Sequence, residues 1–127
     1  MIRTARAFAA AASVGLALAL LSGCATPTSP STPVVAPVVL RIADLDGSTV
    51  RVGLNQVVDL DTGSLPVTSY SATVADTAIA TFTPGHKDGG AQFNPGLTPH
   101  KVGTTEVTLS NSNGGIQNVE FTLTVTK

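Results

Sequence analysis

The sequence predicts an all-β domain, a sandwich of about seven to nine short strands, behind an export signal and an extended tether. Three observations predict it. From Val38 onward, apolar residues alternate with polar ones over short runs, the period of a half-buried strand. Gly, Pro and Asx residues break these runs at close intervals, and none keeps the period of a helix. The composition holds no Trp, one Tyr and four Phe, which suits a small sandwich built on Val, Thr and Gly better than an enzyme with a large apolar pocket.

Met1 to Gly23 opens with Arg3 and Arg6, continues through an apolar run from Ala7 to Leu21, and closes on small residues. That order is the pattern of a secretory signal. The segment Leu21-Ser22-Gly23-Cys24 ends the run at the chain's single cysteine, too early for a membrane-crossing helix of roughly 20 apolar residues. It resembles the lipobox of bacterial lipoproteins. The resemblance implies lipid on the Cys24 thiol, cleavage between Gly23 and Cys24, and an extracytoplasmic protein held in the cell membrane by acyl chains such as palmitate. Stable anchoring of this kind needs two or more chains, each buried CH₂ contributing about 0.8 kcal/mol.

Ala25 to Pro37 reads ATPTSPSTPVVAP and carries four of the eight prolines. Proline removes backbone donors and biases its predecessor toward extended conformations, so this is a tether without a core. Polyproline-like, it spans about 40 Å.

The strands follow in order. Val38 to Ile42 is the first, closed by a turn at Asp44-Leu45-Asp46-Gly47. Thr49 to Val52 alternates with Val50 and Val52 on one face, and Gly53-Leu54-Asn55 turns the chain into Gln56 to Leu60. Asp61-Thr62-Gly63 ends that strand. Leu65 to Val74 is predicted as one strand holding Tyr70, and Ala78 to Thr83 as another. His86 to Gly96 is expected to be a loop with a short extended piece at Ala91-Gln92-Phe93. Leu97 to Lys101 is expected at a sheet edge, because Pro99 cannot donate to a ladder. Thr104 to Ser110 and Gln117 to Val125 alternate around Asn113-Gly114-Gly115, the strongest hairpin signal in the chain. No helix is predicted after the signal.

From Cys24 onward five basic residues face eight acidic ones, a net charge of −3. That balance gives no footprint for nucleic acid and no polybasic support for membrane adhesion. A lone cysteine excludes an internal disulfide and a Cys-based zinc site.

Several segments resemble the group 2 bacterial immunoglobulin-like domains of intimin- and invasin-type surface proteins. They are Val50-Arg51-Val52-Gly53, the run from Val74 to Phe82, the run from Lys101 to Leu109, and the closing strand from Val119 to Val125. The resemblance implies an immunoglobulin-like Greek-key sandwich over residues 38–127, used as a spacer or adhesive module without catalysis. The family's Trp is absent here, and Tyr70 is the residue expected in its place. A second resemblance, in size and fold, is to immunoglobulin-like inhibitors of papain-like proteases. That family uses an Asn-Pro-Thr-Thr-Gly segment and a Trp-containing turn, where this chain has Asp61-Thr62-Gly63 and no Trp.

Candidate sites are sparse. Asp44, Asp46, Asp59 and Asp61 lack the further ligands of a calcium loop and suit turn caps better. His86 and His100, with Asp88, fall short of a zinc set, so no metal or cofactor is expected. There is no Gly-x-Ser-x-Gly elbow or Ser-x-x-Lys, so no catalytic residue is assigned. The long Gly85 to Gly96 segment is the candidate binding loop, with Gly85, His86, Lys87, Asp88, Gly89, Gly90, Gln92 and Asn94 as its contact residues. The expected protein is thus a lipid-anchored, non-catalytic binding or structural module, meeting a surface protein or envelope polymer. Its alternatives are a papain-like protease inhibitor and a weak carbohydrate-binding accessory module.

Overall fold

Alternation dictates the architecture. The computed structural model describes Gly23 and residues 34–127, and among these it places ten strands. One sheet has the order β1 (Val38–Arg41), β3 (Val58–Asp61), β8 (Gly96–Pro99), β5 (Ala80–Thr83). The other has the order β2 (Thr49–Gly53), β10 (Val119–Thr126), β9 (Gly103–Asn111), β4 (Tyr70–Val74). A separate hairpin pairs β6 (His86–Asp88) with β7 (Ala91–Phe93). Two sheets in this order make an immunoglobulin-like Greek-key sandwich. β1 pairs parallel with β3, a 3-10 turn at Ile42–Asp44 carries the chain across, and β2 pairs parallel with β10.

The core lies between the sheets and is aliphatic. Val52, Val58, Leu60, Leu97, Val107, Leu109, Leu123 and Val125 are buried, and Phe121, Tyr70, Ile42, Leu45, Ile79 and Ala80 complete the cluster. In β9, Val107 and Leu109 point inward while Thr104 and Glu106 are exposed; in β10, Phe121, Leu123 and Val125 do the same. Each such side chain contributes about 1.5–3 kcal/mol of burial. Thr105 is the polar exception on the inner face of β9. Its Oγ1 accepts a hydrogen bond from the Asp76 amide at 2.9 Å, which ties the 75–79 turn to the sheet.

Three expectations need correction. The segment from Leu65 to Val74 is not one strand, because β4 begins only at Tyr70. Pro66 cannot donate, and the backbone ahead of Tyr70 closes two successive turns, Leu65 N to Thr62 O and Ser69 N to Pro66 O. The stretch after Pro84-Gly85 is a paired hairpin rather than an open loop. And β8 is central, lying between β3 and β5. Its proline is tolerated because His100 N donates to Ile79 O, which by alternation turns the Pro99 nitrogen toward β3. There the ladder ends at Val58↔Leu97, so no bond is lost.

The strand directions sort the connections into two ends. β1, β3, β5 and β9 run one way, and β2, β4, β8 and β10 run back. Residues 62–69, 84–95 and 112–118, with the 42–48 crossing, therefore share one end, called here the loop end. Residues 54–57, 75–79 and 100–102 share the other, where the chain also arrives at Val38 and leaves at Thr126.

Thr105→Val is expected to lower stability by about 1–3 kcal/mol in urea unfolding, because the Asp76 amide loses its acceptor. Thr104→Val, on the exposed face of the same strand, should stay within about 0.5 kcal/mol.

Candidate functional site

Three connections at the loop end are held by their own hydrogen bonds and by one another. Residues 62–69 form the most tightly organised. Thr62 Oγ1 donates to Leu65 O at 2.9 Å and Ser69 Oγ donates to Pro66 O at 2.7 Å, each hydroxyl closing its own turn. Thr62, Val67 and Ser69 are buried, so this loop is a packed element rather than slack chain. Residues 112–118 lean on it: Ser112 N donates to Ser69 O at 2.8 Å, and Asn111 Nδ2 donates to Ser69 Oγ at 3.0 Å.

The third connection carries the hairpin. Gly89 and Gly90 both have positive φ, 54° and 87°, which makes the two-residue turn a type I′ whose twist matches paired strands. Its residues are exposed along both strands. His86 and Phe93 sit opposite each other and stack, with ring centroids 4.6 Å apart and planes 12° from parallel. Phe93 remains 46% exposed, the only exposed large aromatic among the described residues. At the base, Asn94 Nδ2 donates to Asp59 Oδ1 at 2.8 Å. Gly85 is buried, and a Cβ there would collide with the Val67 carbonyl oxygen and the Phe93 carbonyl oxygen. Backbone thus packs directly on backbone, fixing the hairpin against residues 62–69.

Between the 41–43 and 61–65 segments lies a cleft of about 210 Å³, lined among others by Arg41, Ile42, Asp61, Leu65 and Tyr70. Arg41 Nε and an Asp61 oxygen stand 3.8 Å apart across its rim. Three of the four carboxylates considered for calcium are engaged in hydrogen bonds. Asp61 Oδ1 accepts from Gly63 N at 2.8 Å, Asp46 Oδ1 accepts from Glu120 N at 3.1 Å, and Asp59 holds Asn94. Among the described residues no group of three or more His, Cys, Asp or Glu is arranged to hold a metal. The histidines lie at opposite ends, His86 on the hairpin and His100 hydrogen-bonded to Thr81 Oγ1 at 2.8 Å.

The predicted loop residues lie on and beside one hairpin, with different structural tasks. His86, Lys87, Asp88 and Gln92 are displayed, Gly89 and Gly90 make the turn, and Gly85 and Asn94 hold the base. Of the cleavage motif, Leu21, Ser22 and Cys24 lie outside the described residues; Gly23 is exposed. Sequence reasoning missed residues 62–69 and 112–118 as parts of the same surface. Local signals existed in Pro66 and the turn-closing Thr62 and Ser69. Their neighbourhood with residues 84–95 is a property of the fold.

No protein-family model and no curated protein matches the chain. Among solved structures it is similar to the cysteine protease inhibitor EhICP2 of Entamoeba histolytica, with a TM-score of 0.52 and 19% identity, covering 74% of this chain and 99% of that one. The solution structure of amebosin aligns with a TM-score of 0.49 and 15% identity, covering 71% of this chain and 98% of that one. At this identity the first likeness establishes the shared all-β sandwich.

Gly85→Ala is expected to prise the hairpin from residues 62–69, costing about 1–3 kcal/mol. Limited trypsin digestion should then cut faster after Lys87, while Gln92→Ala, an exposed change, leaves the digestion rate unaltered.

Proposed function

We propose that this chain is a non-catalytic inhibitor of papain-like cysteine proteases, displayed outside the cell by lipid on Cys24 and acting through its loop end. The observation that carries the reading is the convergence of three separately tied connections at one end of a rigid sandwich. A protease cleft is a groove, and a row of pre-ordered loops fills a groove with little further loss of conformational entropy. The similarity to EhICP2 supports the reading, since that inhibitor is matched over 99% of its length by this sandwich.

The contact chemistry differs from the resemblance stated above. Without an Asn-Pro-Thr-Thr-Gly segment or a Trp, this chain offers the backbone and small side chains of residues 62–69, the Asn/Gly-rich 112–118 turn, and the His86–Phe93 stack. The lipid-anchor reading fits the same picture. The chain joins the sandwich at Val38, at the end opposite the loops. The broader expectation of a non-catalytic protein-contact module contains this narrower one.

Titration of an active papain-family protease with the protein should abolish peptide hydrolysis at about one equivalent. Replacing residues 86–93 by a short Gly-Ser turn should weaken inhibition at least about tenfold. Undiminished hydrolysis across several such proteases at micromolar protein would overturn the reading. For the anchor, labelled palmitate should enter the wild-type protein and be lost in Cys24→Ser.

A further inference from the structure

We propose that the loop end is shaped for a basic partner face, and that the cleft between residues 41–43 and 61–65 seats a lysine or arginine side chain from that partner. The inference rests on the reading of this end as a protein-contact surface, and it names the chemistry that surface recognises.

Charge is divided unevenly along the sandwich. The loop end holds six acidic side chains, Asp44, Asp46, Asp59, Asp61, Asp88 and Glu120, against Arg41 and Lys87, a net −4. The opposite half holds Asp76 and Glu106 against Arg51, Lys101 and Lys127, a net +1. Such a separation orients an approaching cationic surface toward the loops and raises its association rate.

A second observation locates a seat within that end. Tyr70 is only 7% exposed and lines the cleft. Its hydroxyl has no hydrogen-bond partner among the described residues, yet none of their buried side-chain polar atoms is both enclosed and unpaired. The hydroxyl is therefore not fully enclosed, and the cleft that Tyr70 lines offers it an opening in which to accept from an N–H. Ile42, Ala43 and Leu65 supply walls for an aliphatic stem, and the Asp61 carboxylate stands at the rim. Arg41 occupies part of that place loosely: its one ionic contact is 3.8 Å long and its side chain is 67% exposed. Exposed pairs of this kind contribute little, so an incoming cation displaces it readily. Arg41 thus acts as a competitor for the seat. An anion-binding cleft would instead need Arg41 as its receptor, which reverses the sign of the test.

The test uses the full chain in detergent. Tyr70 is the only tyrosine and there is no tryptophan, so intrinsic fluorescence reports on the cleft alone. A capped arginine tripeptide should change the Tyr70 signal at millimolar concentration, while its citrulline and glutamate twins should not. Against a basic papain-family protease, Tyr70→Phe and Asp61→Asn should each slow association or weaken binding roughly tenfold. Asp61→Asn keeps the oxygen that caps Gly63. Arg41→Gln should strengthen binding several-fold, and an acidic protease of the same family should bind more weakly with no loss on raising salt. Weaker binding by Arg41→Gln, a response to the glutamate peptide, or unchanged binding by both cleft variants would overturn the proposal. Should no protease bind while the arginine peptide still moves the Tyr70 signal, the inhibitor reading falls and the cation seat stands.

Discussion

Everything at the loop end depends on the aliphatic layer between the two sheets. Leu123 and Leu109 from one sheet meet Leu60, Val58 and Leu97 from the other, all fully buried. With only Phe121 and Tyr70 as buried aromatics, the layer is filled by Val and Leu, whose shapes demand close approach of the sheets. Close approach fixes the relative position of β3, β5 and β9. The three connections that leave their ends are then brought side by side without needing long side chains to find one another.

Backbone contact completes what the core begins. Gly85 against the Val67 carbonyl and Gly96 against the Val58 carbonyl are places where any Cβ would force the chains apart. The first joins the hairpin to the 62–69 loop, and the second lets β8 lie close beside β3. Hydroxyl groups do the remaining fastening. Thr62 and Ser69 satisfy backbone carbonyls inside their own turns, and Ser69 also receives the Asn111 side chain and the Ser112 amide from the next loop. A loop organised this way is already ordered before a partner arrives, so little of the contact energy goes into ordering it.

The surface that results is neither strongly apolar nor neutral. One stacked aromatic pair is displayed on the hairpin, and the loop end also holds the cleft lined by Ile42, Leu65, Asp61 and Tyr70. In the proposed contact, burial of the Phe93 ring would supply the anchor, and the surrounding charge would set which partners approach and how fast. Division of labour between an anchor and a field accounts for why so small an aromatic inventory is compatible with a protein-binding role.

Strand existence was legible in the sequence because alternation is local. Val107, Leu109, Phe121, Leu123 and Val125 declare their inner face by spacing alone, and Asn113-Gly114-Gly115 marks the hairpin between them. The candidate loop at residues 85–96 was legible for the same reason, being a run of distinctive composition. Other features depend on distant partners. Pro99 reads as an edge residue until the early end of the β3–β8 ladder places its nitrogen beyond the last pair. Leu65 to Ser69 reads as strand until the Pro66 turn and the Ser69–Asn111 contact make it a loop. By itself the sequence determined a Val- and Leu-cored all-β domain. Only the tertiary structure decided that residues 62–69, 84–95 and 112–118 form one surface, because strand order and direction, which no local pattern encodes, choose which loops are neighbours.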